Sequence, residues 1–94
     1  MGKLDDKVAI ITGGSGGIGK AAGKRFVEEG GQVMLVDVDE SALMAAVSDI
    51  GEENAAYAVA DVTDSDQTAA YVAATVEKFG GVDIALLNAG IEGQ

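Results

Sequence analysis

The stretch "AIITGGSGGIGKAAGKRF", residues 9–26, joins an apolar run to a helix-forming run through a cluster of glycines. Five of the 14 glycines in the chain lie within the seven positions from Gly13 to Gly19. The apolar run predicts a buried strand, and the residues after the glycines predict an α-helix. Glycine permits positive φ in a tight turn and lets a ligand approach the backbone closely. The stretch therefore predicts a strand, a glycine turn and a helix N-terminus that together form a cradle for a phosphate group.

Apolar runs of similar length recur three more times along the 94 residues and alternate with stretches of helical period. Because these runs are apolar throughout, they are typical of parallel strands that are buried on both faces. Right-handed crossovers between them give the spatial order 3-2-1-4, which reverses between the first and fourth strands. We therefore expect a single α/β domain over residues 1–94, a Rossmann-like parallel sheet that forms the first half of a doubly wound fold. The predicted strands are residues 7–12, 32–37, 55–61 and 82–88.

Each of the three predicted helices carries apolar residues at helical spacing, which marks the face expected to pack on the sheet. The same crossovers place the first two helices on one face of the sheet and the third on the other. Glycines after the first two helices, and an Asp–Gln pair at the start of the third, are cap signals. The face residues are Ile18, Ala22 and Phe26, then Leu43, Val47 and Ile50, then Val72, Val76 and Phe79; the cap residues are Gly30, Gly51, Asp64 and Gln67.

The composition excludes several classes of function. The chain contains neither Cys nor His, so we expect no disulfide, no thiolate or imidazole metal site and no histidine base. Sixteen acidic residues against six basic ones give a net charge of -10, which argues against nucleic-acid and anionic-membrane partners. The sequence has no transmembrane run and no secretory signal, and this pattern favours a cytoplasmic location.

The glycine turn has three interpretations. The letters "GGSGG" resemble a flexible linker, but linkers do not normally join a buried strand to an amphipathic helix. Residues 14–21 match a P-loop except at the last position, where Ala21 replaces the hydroxyl that should hold a magnesium ion. Residues 14–19 also match the G-x-G-x-x-G pattern of dinucleotide sites, which is the interpretation we favour.

An acidic residue at the end of the second strand supports the dinucleotide interpretation. Asp37 follows Gly19 by 18 positions, close to the spacing of roughly 20 expected for an acid that accepts a hydrogen bond from a ribose 2′-hydroxyl. Its charge would repel the 2′-phosphate of NADP, and residues 26–77 contain no Lys or Arg to receive that phosphate. The sequence therefore favours NAD. The alternative is that Asp37 is a solvated strand end or helps Asp39 to cap the next helix.

At this point the motifs resemble those of the short-chain dehydrogenases/reductases. The segment "TGGSGGIG", residues 12–19, is similar to the family signature T-G-x-x-x-G-I-G, and "DV" at 61–62 and "NAG" at 88–90 resemble later family motifs. The resemblance spans the whole chain. One departure is Leu87, which stands where the family often has a second Asn.

The resemblance also implies roles for individual residues in NAD binding. Glycine-turn residues would approach the pyrophosphate and the adenosine ribose. Two residues after the third strand would contact adenine, one through its carboxylate and one through its backbone N–H. The last motif would line the path toward the nicotinamide ribose. In that order the residues are Gly13, Ser15, Gly17, Ile18 and Gly19; Asp61 and Val62; and Asn88, Ala89 and Gly90.

Family members carry out hydride transfer with a Tyr and a Lys in the pattern Y-x-x-x-K, and the 94 residues lack this pattern. Asp61 stands four positions after Tyr57, and Thr75 stands four positions after Tyr71, so both tyrosines are expected to pack instead. We interpret the chain as the NAD-binding segment of such an oxidoreductase, truncated before the catalytic pair and inactive alone. The alternative function is a non-catalytic nucleotide-binding or assembly module, with a degenerate P-loop protein as a third.

The predicted sheet leaves one edge unpaired and one face covered only in part. The third helix alone covers the second face, and the segment "DIALLNAG" would form an edge strand with unpaired backbone groups. Several hundred Å² of exposed apolar surface is worth on the order of 10 kcal/mol at about 25 cal/mol per Å² before the cost of association. We therefore expect a homo-oligomer, most simply a two-fold dimer, formed through the fourth strand or the third helix.

Overall fold

The computed structural model describes residues 5–13, 17–61 and 64–87. Within them, four strands alternate with three helices in the order expected from the sequence. The third predicted strand, 55–61, ends two residues early, the fourth, 82–88, begins two residues late, and the first, 7–12, begins one residue late. The elements are β1 (Val8–Thr12), α1 (Gly17–Glu28), β2 (Gln32–Asp37), α2 (Glu40–Ile50), β3 (Ala55–Val59), α3 (Ser65–Phe79) and β4 (Ile84–Leu87).

The strands form one parallel sheet with the order β3-β2-β1-β4, which confirms the predicted topology. Thr12 in β1 is paired with Val36 in β2 and with Leu87 in β4, so the carboxyl ends of these three strands meet at one edge. At the opposite edge, Asp83 fixes β4 beside β1 through a reciprocal pair of bonds. The Val8 N–H donates to the Asp83 carboxylate at 2.9 Å, and the Asp83 N–H donates to the Val8 carbonyl at 2.8 Å.

The two faces of the sheet carry separate apolar clusters, as expected for a sheet with helices on both sides. On the first face, α1 and α2 pack through Phe26, Leu43 and Val47 against alternate residues of β1 and β2. On the second face, Tyr71 of α3 packs with the intervening strand residues, among them Met34. All five residues of β1 are buried, because β1 contributes to both clusters.

The prediction that Val72 and Val76 of α3 face the sheet is wrong. Val72 and Val76 are exposed, and the buried residues of this helix are Tyr71 and Thr75. A threonine can be buried here because its hydroxyl donates to the Tyr71 carbonyl, one turn earlier, at 2.7 Å. The hydrogen bond satisfies a polar group that would otherwise be unfavourable in the core. Hydropathy alone selected the adjacent valines and placed the buried stripe one position too late.

Glycine caps end the helices largely as expected. Gly30 and Gly51 have φ of 99° and 123°, and their N–H groups donate to carbonyls three and four residues earlier, in α1 and α2. Gly80, which the sequence analysis missed, ends α3 in the left-handed region at φ 93°. Of the helices in the described segments, none is both long and apolar enough to cross a membrane.

Candidate functional site

Three neighbouring strands bring the candidate residues to the carboxyl edge of the sheet. Gly13 directly follows β1, Asp37 ends β2, and Asp61 lies two residues after β3. A backbone hydrogen bond of 2.9 Å from the Ala60 N–H to the Asp37 carbonyl joins the last two strand ends. The order of the sheet reverses beside β1, and ligands of doubly wound proteins bind at this point of reversal. The topology therefore places Gly13 and Asp37 side by side at the expected position of a ligand.

The N-terminus of α1 differs from those of the other two helices. Asp39 and Asp64 cap α2 and α3 by accepting hydrogen bonds from first-turn N–H groups, and Glu40 and Asp66 add a carboxylate to each first turn. The first turn of α1 has no acidic residue. Because a helix N-terminus carries partial positive charge, carboxylates normally stabilise it. In the described residues, α1 is the helix whose first turn carries no carboxylate.

Two glycines of α1 differ in the space that surrounds them. A Cβ added to Gly23 would lie 3.2 Å from both the Leu35 and the Ile50 side chains, so close packing explains that glycine. A Cβ added to Gly17 would meet no described atom within 4 Å. Packing among the described residues therefore gives no reason for glycine at position 17. Gly13 has φ 68°, which a side chain would strain.

Asp37 and Asp39 have separate roles at the end of β2. The Asp39 carboxylate caps α2 by accepting from the Ala42 N–H at 3.1 Å. The Asp37 Oδ1 atom accepts from the adjacent Val38 N–H at 2.8 Å, which fixes the direction of this half-buried carboxylate at the edge of the sheet. Within the described residues, Asp39 provides the side-chain cap of α2, and the Asp37 bond to Val38 lies before that helix begins.

Asp61 is held on both sides of its backbone by the start of α3. Its carbonyl accepts from the Asp64 N–H at 3.0 Å, and its own N–H donates to the Gln67 Oε1 atom at 2.6 Å. The predicted pairing of Asp64 with Gln67 is confirmed, because Asp64 Oδ1 accepts from the Gln67 N–H at 3.3 Å. The contact from Gln67 to Asp61 was not predicted, although the capping spacing singled out the glutamine.

The structure describes only some of the remaining candidate residues. Gly19 is buried within α1, and Ile18 lies in the same helix. The candidates that lie outside the described residues are Ser15, Val62, Asn88, Ala89 and Gly90. A separate groove of about 580 Å³ lies beside the outer edge of β3, lined by Met44, Tyr57 and Lys78 among others, away from the carboxyl edge.

Comparisons with known proteins agree with this geometry. Residues 7–94 match the family model for the short chain dehydrogenases. Short-chain dehydrogenase reductase 3b of Arabidopsis thaliana is 46% identical over 90 residues, which are 95% of this chain and 35% of that protein. The crystal structure of a short chain dehydrogenase from Bacillus anthracis matches with a TM-score of 0.86 and 34% identity, over 92% of this chain and 35% of that one.

A third similar structure is that of xylitol dehydrogenase with NAD+ bound, at a TM-score of 0.83 and 34% identity over 88% of this chain and 33% of that one. Proteins of this family depend on a nicotinamide nucleotide, NAD or NADP. The chain spans about a third of the length of the curated relatives it matches. With a Rossmann-like sheet and a family match that begins before β1 and runs to residue 94, this chain belongs to the short chain dehydrogenase family.

Proposed function

We propose that this chain binds NAD at the carboxyl edge of its sheet, as the dinucleotide-binding segment of a short chain dehydrogenase. NAD supplies hydride chemistry when it is bound, and the chain supplies the groups that bind and orient it. In this proposal the glycine turn and the start of α1 hold the pyrophosphate and the adenosine ribose. The residues in these roles are Gly13, Ser15, Gly17, Ile18 and Gly19 for the pyrophosphate side; Asp37 for the ribose hydroxyls; Asp61 and Val62 for adenine; and Asn88, Ala89 and Gly90 for the nicotinamide ribose.

The start of α1 is the observation that carries the proposal. The chain has 16 acidic residues, yet its helix behind the glycine turn has no carboxylate in the first turn. A pyrophosphate there would accept hydrogen bonds from N–H groups that have no intrahelical partner. The open space beside Gly17 is consistent with a close approach of the ligand to the backbone.

The preference for NAD over NADP is proposed to depend on Asp37. Asp37→Asn removes the charge that repels a 2′-phosphate, and Asp39→Asn removes the same charge two residues away while it keeps a side chain that can cap α2. We expect Asp37→Asn to shift the ratio of the two affinities toward NADP by about tenfold, the effect of roughly 1.4 kcal/mol. Asp39→Asn should leave the ratio within about twofold. Calorimetric titration of both nucleotides measures this, and tighter binding of NADP than NAD by the wild type would contradict the proposal.

The proposed oxidoreductase chemistry needs a proton-transfer group that these residues do not provide. The Tyr57 hydroxyl donates a hydrogen bond to Glu40 at the rim of the sheet, and the ring of Tyr71 is buried in the core. Neither tyrosine has a lysine four positions later. We therefore expect the 94 residues to bind nucleotide without turnover of alcohols or carbonyl compounds. NADH formation that survives removal of contaminating enzymes would overturn this expectation.

We further propose that the 94-residue chain associates with a second copy of itself through the outer side of α3 and through β4. Four large apolar residues are exposed here: Val72 and Val76 on α3, Val82 in the connection to β4, and Ile84 on β4. Burial of such side chains against a second copy is favourable. Sedimentation equilibrium at micromolar concentration tests the proposal, and a well-folded monomer would refute it.

A further inference from the structure

Asp61, two residues after β3, forms polar contacts with the start of α3 through both of its backbone groups. The Asp61 carbonyl and N–H are both bonded there, at 3.0 Å to the Asp64 N–H and at 2.6 Å to Gln67 Oε1. Gln67 is itself oriented by its Nε2 group, which donates to Asp64 Oδ2 at 3.3 Å. The Gln67 side-chain amide therefore links the backbone of Asp61 to the side chain of Asp64.

This use of Gln67 departs from an ordinary capping box. In a capping box the third helical residue reaches back to the N–H of the cap residue, which here would be Asp64. The Asp64 N–H instead donates to the Asp61 carbonyl, and Gln67 Oε1 reaches three residues further back, to the Asp61 N–H. The helix start does not need this bond, because the Asp64 carboxylate already caps α3. The bond to Gln67 Oε1 instead fixes the backbone N–H of Asp61.

Packing between β3 and α3 places Ala60 and Tyr71 in one cluster and leaves a pocket beside Gln67. A pocket of about 130 Å³ lies between the two elements, and Gln67 forms part of its wall. The rest of the wall is formed largely by the small side chains of alanines. The residues of this wall include Ala58, Ala60, Ala70 and Ala74.

We infer that Gln67 is a positioning residue that orients Asp61 toward the adenine ring of the nucleotide. The inference rests on the proposed function, in which the Asp61 carboxylate accepts a hydrogen bond from the adenine amino group. A fixed Asp61 N–H orients the backbone at Asp61 and therefore the Cα–Cβ bond that carries the carboxylate. This orientation restricts the directions in which the carboxylate can lie. Removal of the Gln67 acceptor should therefore weaken recognition of the base without removing any atom that touches it.

The test compares Gln67→Met with Thr68→Val in the same first turn of α3. Methionine retains the length of the side chain and removes its hydrogen-bonding groups. The control removes the hydroxyl that donates to the Asp64 carbonyl at 3.2 Å, a contact that does not involve Asp61. Each variant is titrated with NAD and with nicotinamide hypoxanthine dinucleotide, in which an oxygen replaces the adenine amino group. Amide hydrogen exchange at Asp61 and thermal unfolding are measured on the same samples.

We expect the wild type and Thr68→Val to prefer NAD by on the order of tenfold, as for a hydrogen bond to a charged group. Gln67→Met should reduce this preference to within about threefold and speed Asp61 amide exchange by about tenfold, with folding retained. If Gln67→Met keeps the wild-type preference, or leaves Asp61 exchange unchanged, the inference is wrong and the proposed function stands. If the wild type itself shows no preference, the proposed adenine contact fails, and the inference fails with it.

Discussion

The two faces of the sheet are covered to different extents, although the same strands supply both. On the first face, α1 and α2 pack against each other and against the strands, and one cluster includes Phe26, Leu43 and Val47. On the second face, α3 is the one helix in the described segments, and its valines remain exposed. The comparison shows that an apolar stripe identifies a surface to be buried, but not which neighbour buries it. Three pairs of substitutions test this difference.

The largest expected effect separates two adjacent residues of α3. Thr75 has no exposed surface, and Val76 is 46% exposed. Thr75→Asp places an unpaired carboxylate in the core and should lower the free energy of unfolding by about 3–5 kcal/mol. In the unassociated chain, Val76→Asp should lower the free energy of unfolding by less than about 1 kcal/mol, because it adds a negative charge near a helix C-terminus. Urea denaturation measures both values.

The same pair also tests the association proposed for the second face. Val76→Asp should remain folded while it weakens the homo-oligomer, since the added charge lies within the proposed contact surface. Greater destabilisation by Val76→Asp than by Thr75→Asp would show that α3 is turned as hydropathy predicts. A folded oligomer that tolerates Val76→Asp would exclude the outer side of α3 from the contact.

The fold could be predicted from the sequence because its four strands are uniformly apolar. For β1, that pattern leaves few choices other than burial on both faces, and the structure confirms it. The sequence could not show that Thr75 is buried, because a local hydroxyl-to-carbonyl bond decides it. Nor could it show the contact between Gln67 and Asp61, which depends on how the chain turns after β3. The candidate site was predicted through the glycines and Asp37, whose spacing follows directly from one strand–helix–strand unit.

The second comparison, of intermediate expected effect, is between two glycines of α1. Gly23 packs on the first face of the sheet, and Gly17 is proposed to lie against the ligand. Gly23→Ala gains about 1 kcal/mol of helix propensity but crowds the Leu35 and Ile50 side chains, for a net loss of about 1 kcal/mol. Gly17→Ala meets no described atom and should leave stability unchanged or slightly raised. Its methyl group should nevertheless weaken NAD binding by about tenfold or more, because it stands where the pyrophosphate would approach the helix.

Thermal unfolding together with NAD titration of both alanine variants provides the measurement. Gly23→Ala serves as the control, since it perturbs the same helix from its packed side and should retain NAD binding in proportion to the folded fraction. Unchanged NAD affinity in Gly17→Ala would remove the open space beside that residue as an argument for a ligand.

The smallest expected effect concerns the rim of the first face, where the half-buried ring of Tyr57 packs against the cluster and its hydroxyl reaches the surface. The hydroxyl donates to Glu40 Oε2 at 2.9 Å, and this hydrogen bond, with a smaller contribution from burial, raises the pKa of Tyr57 above its ordinary value. Because the folded pKa is the higher one, the bond stabilises the fold fully below the ordinary tyrosine pKa, and the stabilisation is lost as pH rises through the raised value. Ultraviolet titration of the wild type minus that of Tyr57→Phe isolates this phenol. We expect Glu40→Gln, which keeps an acceptor but removes the charge, to lower its titration midpoint, whereas Asp39→Asn should move the midpoint less. A Tyr57 midpoint that does not respond to Glu40→Gln would show that the contact does not persist in solution.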